Sequence, residues 1–143
     1  MLIGKYEHNL DSKGRISVPA KIRDTLRKDY GDDRLILTSL ENYLVAYPVQ
    51  EWLLIGQKIR QAPNMEKSVS DFMRVLFSNA SEVSFDKQGR ILVPPQMRIK
   101  VGIDKEVVMV GVMNKVEIWG LEKWREFEQS VYLDRDRLAS FGI

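Results

Sequence analysis

Two short segments of the chain place an aspartate, a glycine and an arginine at the same spacing. The aspartate precedes the glycine by three residues and the arginine by four, as Asp11, Gly14, Arg15 and again as Asp86, Gly89, Arg90. Arginine neutralises phosphates and can donate two hydrogen bonds to the O6 and N7 atoms of guanine. A pair of carboxylates can instead serve acid–base catalysis. The spacing therefore raises two kinds of chemistry, nucleic-acid binding and catalysis.

The catalytic interpretation takes Asp11 and Asp86 as a carboxylate pair and His8 as a base near Asp11. An aspartate just before a glycine turn, however, commonly caps that turn, and here it can also pair with the arginine four residues on. A site repeated twice is unlike an active site, where different groups converge once. No nucleophile elbow, P-loop or dinucleotide-binding glycine motif occurs. We therefore predict that the protein is not an enzyme.

The binding interpretation is favoured because the charge is unevenly distributed. The chain has 22 basic and 20 acidic residues, yet residues 11–28 carry six basic and two acidic ones, and residues 86–100 four and one. These equivalent segments predict two basic patches. The candidate DNA-binding residues are Lys13, Arg15, Lys21, Arg23, Lys87 and Arg90. Phosphate repels a carboxylate, so Asp11 is expected to orient Arg15 or hold the turn. Gln88 replaces Lys13 and predicts a weaker second contact.

Composition excludes several other classes of function. The chain has no cysteine and one histidine, so we expect no disulfide, zinc or iron–sulfur site, and no cofactor. The longest apolar stretch, residues 107–113, is far shorter than the ~18 residues of a membrane span. Residues 1–7 lack the basic-then-apolar order of a signal peptide. These features predict a soluble, cytoplasmic protein without a membrane partner.

A tandem repeat organises the chain. Residues 11–19 and 86–94 are identical at six of nine positions, and at a slightly shorter offset Asn42 aligns with Asn114 and Trp52 with Trp124. No linker rich in glycine, serine or proline separates the copies, so we expect them to pack as one body. The predicted division is residues 1–62 for the first repeat with its following helix, 63–80 for an inter-repeat helix, and 81–143 for the second repeat with a C-terminal helix.

Each repeat is expected to contain a glycine turn, a short strand, a helix opened by proline, a hairpin and a further helix. Ile16 and Val18 alternate with Ser17, and Ile91 and Val93 with Leu92, as in half-buried strands. The predicted hairpin strands are 35–38 with 43–47, and 107–112 with 116–119. The first predicted helix covers residues 19–26, and the second covers 51–61 with Trp52, Ile55 and Ile59 as its apolar stripe. A third helix is predicted from Met65 to Phe77, after a break at Pro63 and a cap at Asn64. The last predicted helix covers 124–131 and is followed by a charged tail at 134–137. We expect Tyr47, Trp52, Trp119 and Trp124 to pack in the core or an interface rather than stack on bases.

Three segments carry a resemblance to a known family. They are Asp-Ser-Lys-Gly-Arg-Ile-Ser-Val-Pro-Ala-Lys-Ile-Arg (11–23), Asp-Lys-Gln-Gly-Arg-Ile-Leu-Val-Pro-Pro-Gln-Met-Arg (86–98) and Val-Gly-Val-Met-Asn-Lys-Val-Glu-Ile-Trp (110–119). With their spacing, they closely resemble the MraZ family of bacterial transcriptional regulators over nearly the whole chain. Ile22 stands where that family usually has phenylalanine.

The resemblance implies a mixed α/β, strand-rich fold, namely a tandem-repeat, swapped-hairpin AbrB-like β-barrel with additional helices. It also implies a closed homo-oligomeric ring. The implied function is repression through double-stranded DNA, at short, G-rich direct repeats in the promoter of the division and cell-wall gene cluster, including the protein's own gene. Such a protein would be associated with the nucleoid. By resemblance, Asp11, Arg15, Asp86 and Arg90 carry the motif.

Two alternatives stay open at this point. A ring-forming scaffold could use its basic patches to bind acidic protein surfaces, and salt-sensitive DNA binding would separate the two functions. The AbrB-like superfamily also includes DNA-binding antitoxins, but those chains usually carry one such unit, and the tandem repeat argues against that assignment.

Overall fold

The computed structural model describes residues 1–62 and 67–143. Its first repeat contains β1 (Leu2–Asn9), β2 (Arg15–Ser17), α1 (Ala20–Tyr30), β3 (Arg34–Leu40), β4 (Tyr43–Pro48) and α2 (Val49–Arg60). Helix α3 (Lys67–Ser78) follows. The second repeat contains β5 (Ser81–Ser84), β6 (Arg90–Leu92), α4 (Pro95–Val101), β7 (Glu106–Met113), β8 (Val116–Gly120) and α5 (Leu121–Ser130), and α6 (Arg135–Ser140) ends the chain. The break predicted at Pro63, the cap at Asn64 and the helix start at Met65 lie outside the described residues.

The two repeats exchange strands. A six-stranded antiparallel sheet has the order β1-β7-β8-β4-β3-β5, so the first strand of each repeat pairs with the third strand of the other. At its centre, the equivalent strands β4 and β8 pair with each other. The equivalent strands β2 and β6 form a separate two-stranded antiparallel ribbon. Neither repeat therefore completes its sheet alone, as the swapped-hairpin fold implies.

One hydrophobic core joins the ribbon to the sheet. Ile16 and Ile91 lie opposite each other in the ribbon and are almost fully buried, with 0% and 1% exposure. They share the core with sheet residues such as Leu37 and Ile118. This confirms that the alternating isoleucine and valine residues face inward. The mixed α/β, strand-rich class is also confirmed, and the arrangement is consistent with an AbrB-like fold.

The opposite face of the sheet is covered by α2 and α3. Strand β4 alternates between the two faces, because Leu44 and Ala46 belong to the ribbon-side core and Val45 and Tyr47 to the helix side. Trp52 of α2 packs with Tyr47, which confirms the stripe predicted for this helix. Helix α3 packs Leu76 into this cluster, whereas its Phe72 is 51% exposed.

The C-terminus is more ordered than the sequence predicts. Residues 134–137, expected as a charged tail, begin the short helix α6, where the Asp134 side chain accepts hydrogen bonds from the backbone N–H groups of Asp136 and Arg137 at 3.1 and 3.2 Å. The prediction missed this helix because so short an element has no apolar periodicity to reveal it. Across residues 1–62 and 67–143, no helix combines the length and the apolar character that crossing a bilayer requires.

Candidate nucleic-acid interface

The ribbon turns two arginines toward the same surface. Its register pairs Arg15 with Leu92, and Ser17 with Arg90. Residues directly opposite each other in an antiparallel pair project to the same side, while successive residues alternate. The ribbon therefore buries its isoleucines and presents Arg15, Ser17, Arg90 and Leu92 outward, with Leu92 52% exposed.

Each turn leading into the ribbon is built around its aspartate. The Asp11 Oδ1 atom accepts hydrogen bonds from the backbone N–H groups of Lys13 and Arg15, both at 2.9 Å. Its Oδ2 atom accepts a hydrogen bond from Arg15 Nε at 2.6 Å. One carboxylate thus accepts hydrogen bonds from the backbone of the turn and from the arginine side chain.

The second turn repeats this geometry. Asp86 Oδ1 accepts from the N–H groups of Gln88 and Arg90 at 2.9 Å, and Asp86 Oδ2 accepts from Arg90 Nε at 2.8 Å. In both turns the glycine N–H donates to the aspartate carbonyl at 3.0 Å. Gly14 and Gly89 have φ values of +79° and +76°, a region that favours glycine. The two motifs therefore form matched turns.

The two turns lie at opposite ends of the ribbon, and each is hydrogen-bonded to the other repeat. The Val18 N–H donates to the Gly89 carbonyl at 3.0 Å, and the Val93 N–H donates to the Gly14 carbonyl at 2.9 Å. Arg90 Nη1 also lies 3.7 Å from Asp11 Oδ2. The glycine turns of the two basic segments are thus carried by one short ribbon, one at each end.

Hydrogen bonding keeps the aspartates ionised. The N–H of Arg15, then its side chain and the N–H of Lys13, lower the pKa of Asp11 from 3.8 to about 2. The N–H of Arg90 is the main cause of a lowered pKa at Asp86. Each aspartate–arginine pair is therefore close to neutral in net charge. The surplus positive charge of this face must come from the surrounding lysines and arginines.

The other predicted binding residues differ in exposure. Lys13 and Lys87 are exposed in the turns, and Lys21 is exposed near the start of α1. Arg23 is only partly exposed, and its Nε donates to the Val18 carbonyl at 3.1 Å. Arg98, its equivalent in the second repeat, was not predicted as a site residue, yet it too lies partly buried beside the turns. The repeat alignment, which pairs Arg98 with Arg23, was the available signal.

The residues considered for catalysis are not assembled as an acid–base site. Each aspartate is engaged by its own turn, and His8 lies on β1, paired with Val107 of β7. Within residues 1–62 and 67–143, neither a hydrogen bond nor an ion pair joins His8 to Asp11.

The aromatic residues pack as predicted. The rings of Tyr43 and Trp119 are stacked with their centres 4.4 Å apart, and Trp119 meets Trp124 edge-on at 5.4 Å. Tyr47 and Trp52 are buried together under α2. These five tryptophan and tyrosine residues belong to packed clusters on the helix side of the sheet, away from the ribbon.

The fold and the site define a class of tandem-repeat protein in which the two repeats exchange strands. Its ribbon presents two arginines, each hydrogen-bonded to an aspartate. The model of the family described as "MraZ protein, putative antitoxin-like" matches residues 1–75 and 76–137. The chain is 44% identical over 139 residues to the transcriptional regulator MraZ of Clostridium beijerinckii, covering 97% of this chain and 94% of that protein. It is 41% identical to the proteins of the same name from Pediococcus pentosaceus and Clostridium acetobutylicum, with full coverage of both chains. The chain belongs to the MraZ family. This is a family of transcriptional regulators rather than of enzymes, as the sequence predicts.

Proposed function

We propose that this protein is a sequence-specific DNA-binding repressor that acts by occupying short repeats in a promoter. The observation that carries the proposal is the ribbon itself, with Arg15 and Arg90 held outward by Asp11 and Asp86. Family membership supports DNA as the partner, since a transcriptional regulator acts on DNA. The expected location is the cytoplasm, in association with the nucleoid.

The ribbon suits the major groove in size and chemistry. A two-stranded antiparallel element fits the groove, which is about 12 Å wide in B-DNA. Arg15 and Arg90 are part-exposed, with 30% and 25% of their side-chain surface accessible. Because Nε of each arginine is occupied by its aspartate, the terminal Nη groups would bind the O6 and N7 atoms of guanine. This arrangement favours G-rich target sequences. Arg90 Nη1 also lies near Asp11 Oδ2, so DNA binding by Arg90 would compete with that contact.

The lysines around the ribbon would bind the phosphates. Lys13 and Lys87 are exposed in the turns, and Lys21 is exposed near the start of α1. Phosphate contacts position a protein on the duplex, and base contacts supply the specificity. Since Gln88 occupies the place of Lys13 in the second turn, the first turn should contribute more to affinity.

We further propose a closed ring whose neighbouring subunits bind successive direct repeats. One chain offers a single short ribbon, so strong binding requires several linked contacts. The chain also leaves apolar side chains uncovered in two separate regions, including Phe72 and Val75 on α3 and Leu133 and Phe141 on either side of α6. Patches of this kind suit contacts with further copies of the chain. A head-to-tail ring presents every ribbon in one rotational sense, which matches direct repeats rather than palindromes.

The primary test replaces Arg15 with alanine. We propose that the promoter of the protein's own gene is one of its targets, so the probe is a duplex covering the DNA upstream of that gene. Arg15→Ala should lose about 1–3 kcal/mol of specific binding, or roughly 5- to 150-fold in affinity, in a titration at fixed salt. Arg90→Ala should lose less.

Arg60→Ala is the matched control, since it removes the same side chain from the exposed end of α2. Its affinity should stay near that of the wild type. Unchanged affinity in Arg15→Ala would refute the assignment of Arg15. A wild-type protein that binds this duplex no better than a scrambled one would refute the proposed function. A footprint on the same DNA would locate the bound repeats.

A further inference from the structure

Two arginines outside the ribbon lie against the turns of the opposite repeat. Arg23 is in α1 of the first repeat, but its guanidinium lies over Gly89 of the second. Arg98 is in α4 of the second repeat and lies over Gly14 of the first. A Cβ atom built on Gly14 would be 2.8 Å from Arg98 Cζ, and one on Gly89 would be 2.7 Å from Arg23 Cζ. The contact is thus crossed and reciprocal.

A side chain on either glycine would have to displace the guanidinium that lies against it. Real Cβ atoms essentially never lie within 3.0 Å of a non-bonded atom, and the positive φ at both positions independently disfavours a side chain. Both glycines are buried although they lie in turns. At each glycine, the atoms nearest to the position of an added Cβ belong to the arginine of the other repeat.

The buried parts of these arginines are unsuited to binding DNA. Arg23 Nε is used by the Val18 carbonyl at 3.1 Å. Arg98 Nε is buried, and no hydrogen-bond partner for it is present in residues 1–62 or 67–143. Arg98 is therefore held in place mainly by packing of its flat guanidinium on the turn.

We propose that Arg23 and Arg98 are positioning residues, each of which holds the DNA-binding turn of the other repeat. This assignment rests on the proposed function, and it gives Arg23 a positioning role in place of the DNA contact that its sequence position predicts. Arg98 would fix the turn that aims Arg15, and Arg23 the turn that aims Arg90. Because the planar group does the packing, lysine could not replace it.

The first experiment needs no DNA. Hydrogen exchange is followed in the full-length protein at the turn amides, which donate to the aspartate carboxylates at 2.9 Å. Arg98→Met should speed exchange in residues 11–15 and leave residues 86–90 unchanged, and Arg23→Met should do the reverse. Arg98→Lys should behave like Arg98→Met. The proposal would be overturned if a variant sped exchange only in the turn of the repeat that contains the substituted arginine. It would also be overturned if exchange became faster equally in both turns.

The second experiment measures DNA binding with the same upstream duplex. Arg98→Met should weaken binding about three- to tenfold. This loss should be smaller than that of Arg15→Ala, because the variant loosens the turn but keeps Arg15. A residue that binds phosphate contributes about 0.9 to the slope of log affinity against log salt. The slope for Arg98→Met should therefore match that of the wild type. A slope smaller by about 0.9, with affinity restored by Arg98→Lys, would instead identify a direct phosphate contact.

Double variants test the crossed pairing. Arg98→Met should add little to Arg15→Ala but should have its full effect in Arg90→Ala, since residues that act as a unit are not additive. Arg23→Met should show the opposite pattern. Equal effects in both backgrounds would contradict the pairing. If the wild type fails to bind the duplex, the proposed function fails, whereas the exchange pattern decides the positioning role independently.

Discussion

At the scale of single residues, the ionised aspartates stabilise the turns from which the arginines project. Asp11 binds protons more weakly in the folded chain than in the unfolded chain, because its pKa falls from 3.8 to about 2 through hydrogen bonds from Arg15 and Lys13. The stabilisation it provides is complete above pH 3.8 and is lost as the pH falls toward 2. Acid should therefore loosen this turn.

The prediction is a carboxyl titration of Asp11 with a midpoint of about 2, read by NMR of selectively labelled aspartate. Asp86 should also titrate below the ordinary value. Arg15→Ala should raise the midpoint of Asp11, since it removes the side-chain hydrogen bond, but only in part, because the backbone N–H of residue 15 remains. A midpoint near 3.8 in the wild type would contradict the hydrogen bonding described for this turn.

The spacing of residues in the sequence predicts the aspartate–arginine pairs of the two turns. It does not predict the arginines of the other repeat that lie against those turns. The interval from Asp11 to Arg15 predicts the local turn and the ion pair, and both are present. Arg98 escaped prediction because its contact with Gly14 depends on how the second repeat packs over the first. Such a contact leaves no periodicity within either segment.

At the scale of elements, the ribbon is attached to the molecule through its inward face. Ile16 has no exposed surface and Leu92, on the facing strand, is 52% exposed. Ile16→Ala should lower the free energy of unfolding by about 2–5 kcal/mol through lost burial and the cavity left behind. Leu92→Ala should change it by no more than about 0.5 kcal/mol. Urea unfolding at one fixed protein concentration measures both, and equal losses would contradict the two-faced ribbon.

The same contrast explains which elements the sequence could predict. Strands β2 and β6 follow from alternating apolar residues after the glycine turns, and the hairpins follow from apolar runs on either side of Asn42 and Asn114. Helix α1 follows from the proline that precedes it. Helix α6 has too few residues for a helical pattern. The exchange of β1 and β5 between repeats depends on long-range pairing, which residue alternation does not encode. For that feature, the expectation came only from family resemblance.

At the scale of the whole molecule, the proposed ring ties the spacing of DNA repeats to the helical repeat of DNA. Neighbouring ribbons in a closed ring face the duplex in the same sense, so they can bind together only if successive repeats lie on one side of it. Inserting about half a helical turn, ~5 base pairs, between intact repeats should lower affinity sharply. Extending the insertion to a full turn, ~10 base pairs, should restore much of it.

The spacing series has its own control, because a duplex with one repeat shows the affinity of a single contact. The half-turn duplex should fall to about that level, since each further contact in a linked set is effectively intramolecular. Light scattering of the free protein should give a mass of several 16.6 kDa chains. Affinity that ignores the insertion would rule out simultaneous binding by neighbouring subunits, and a dimeric mass would rule out the ring. Either result would leave DNA binding by the single ribbon, tested through Arg15, standing on its own.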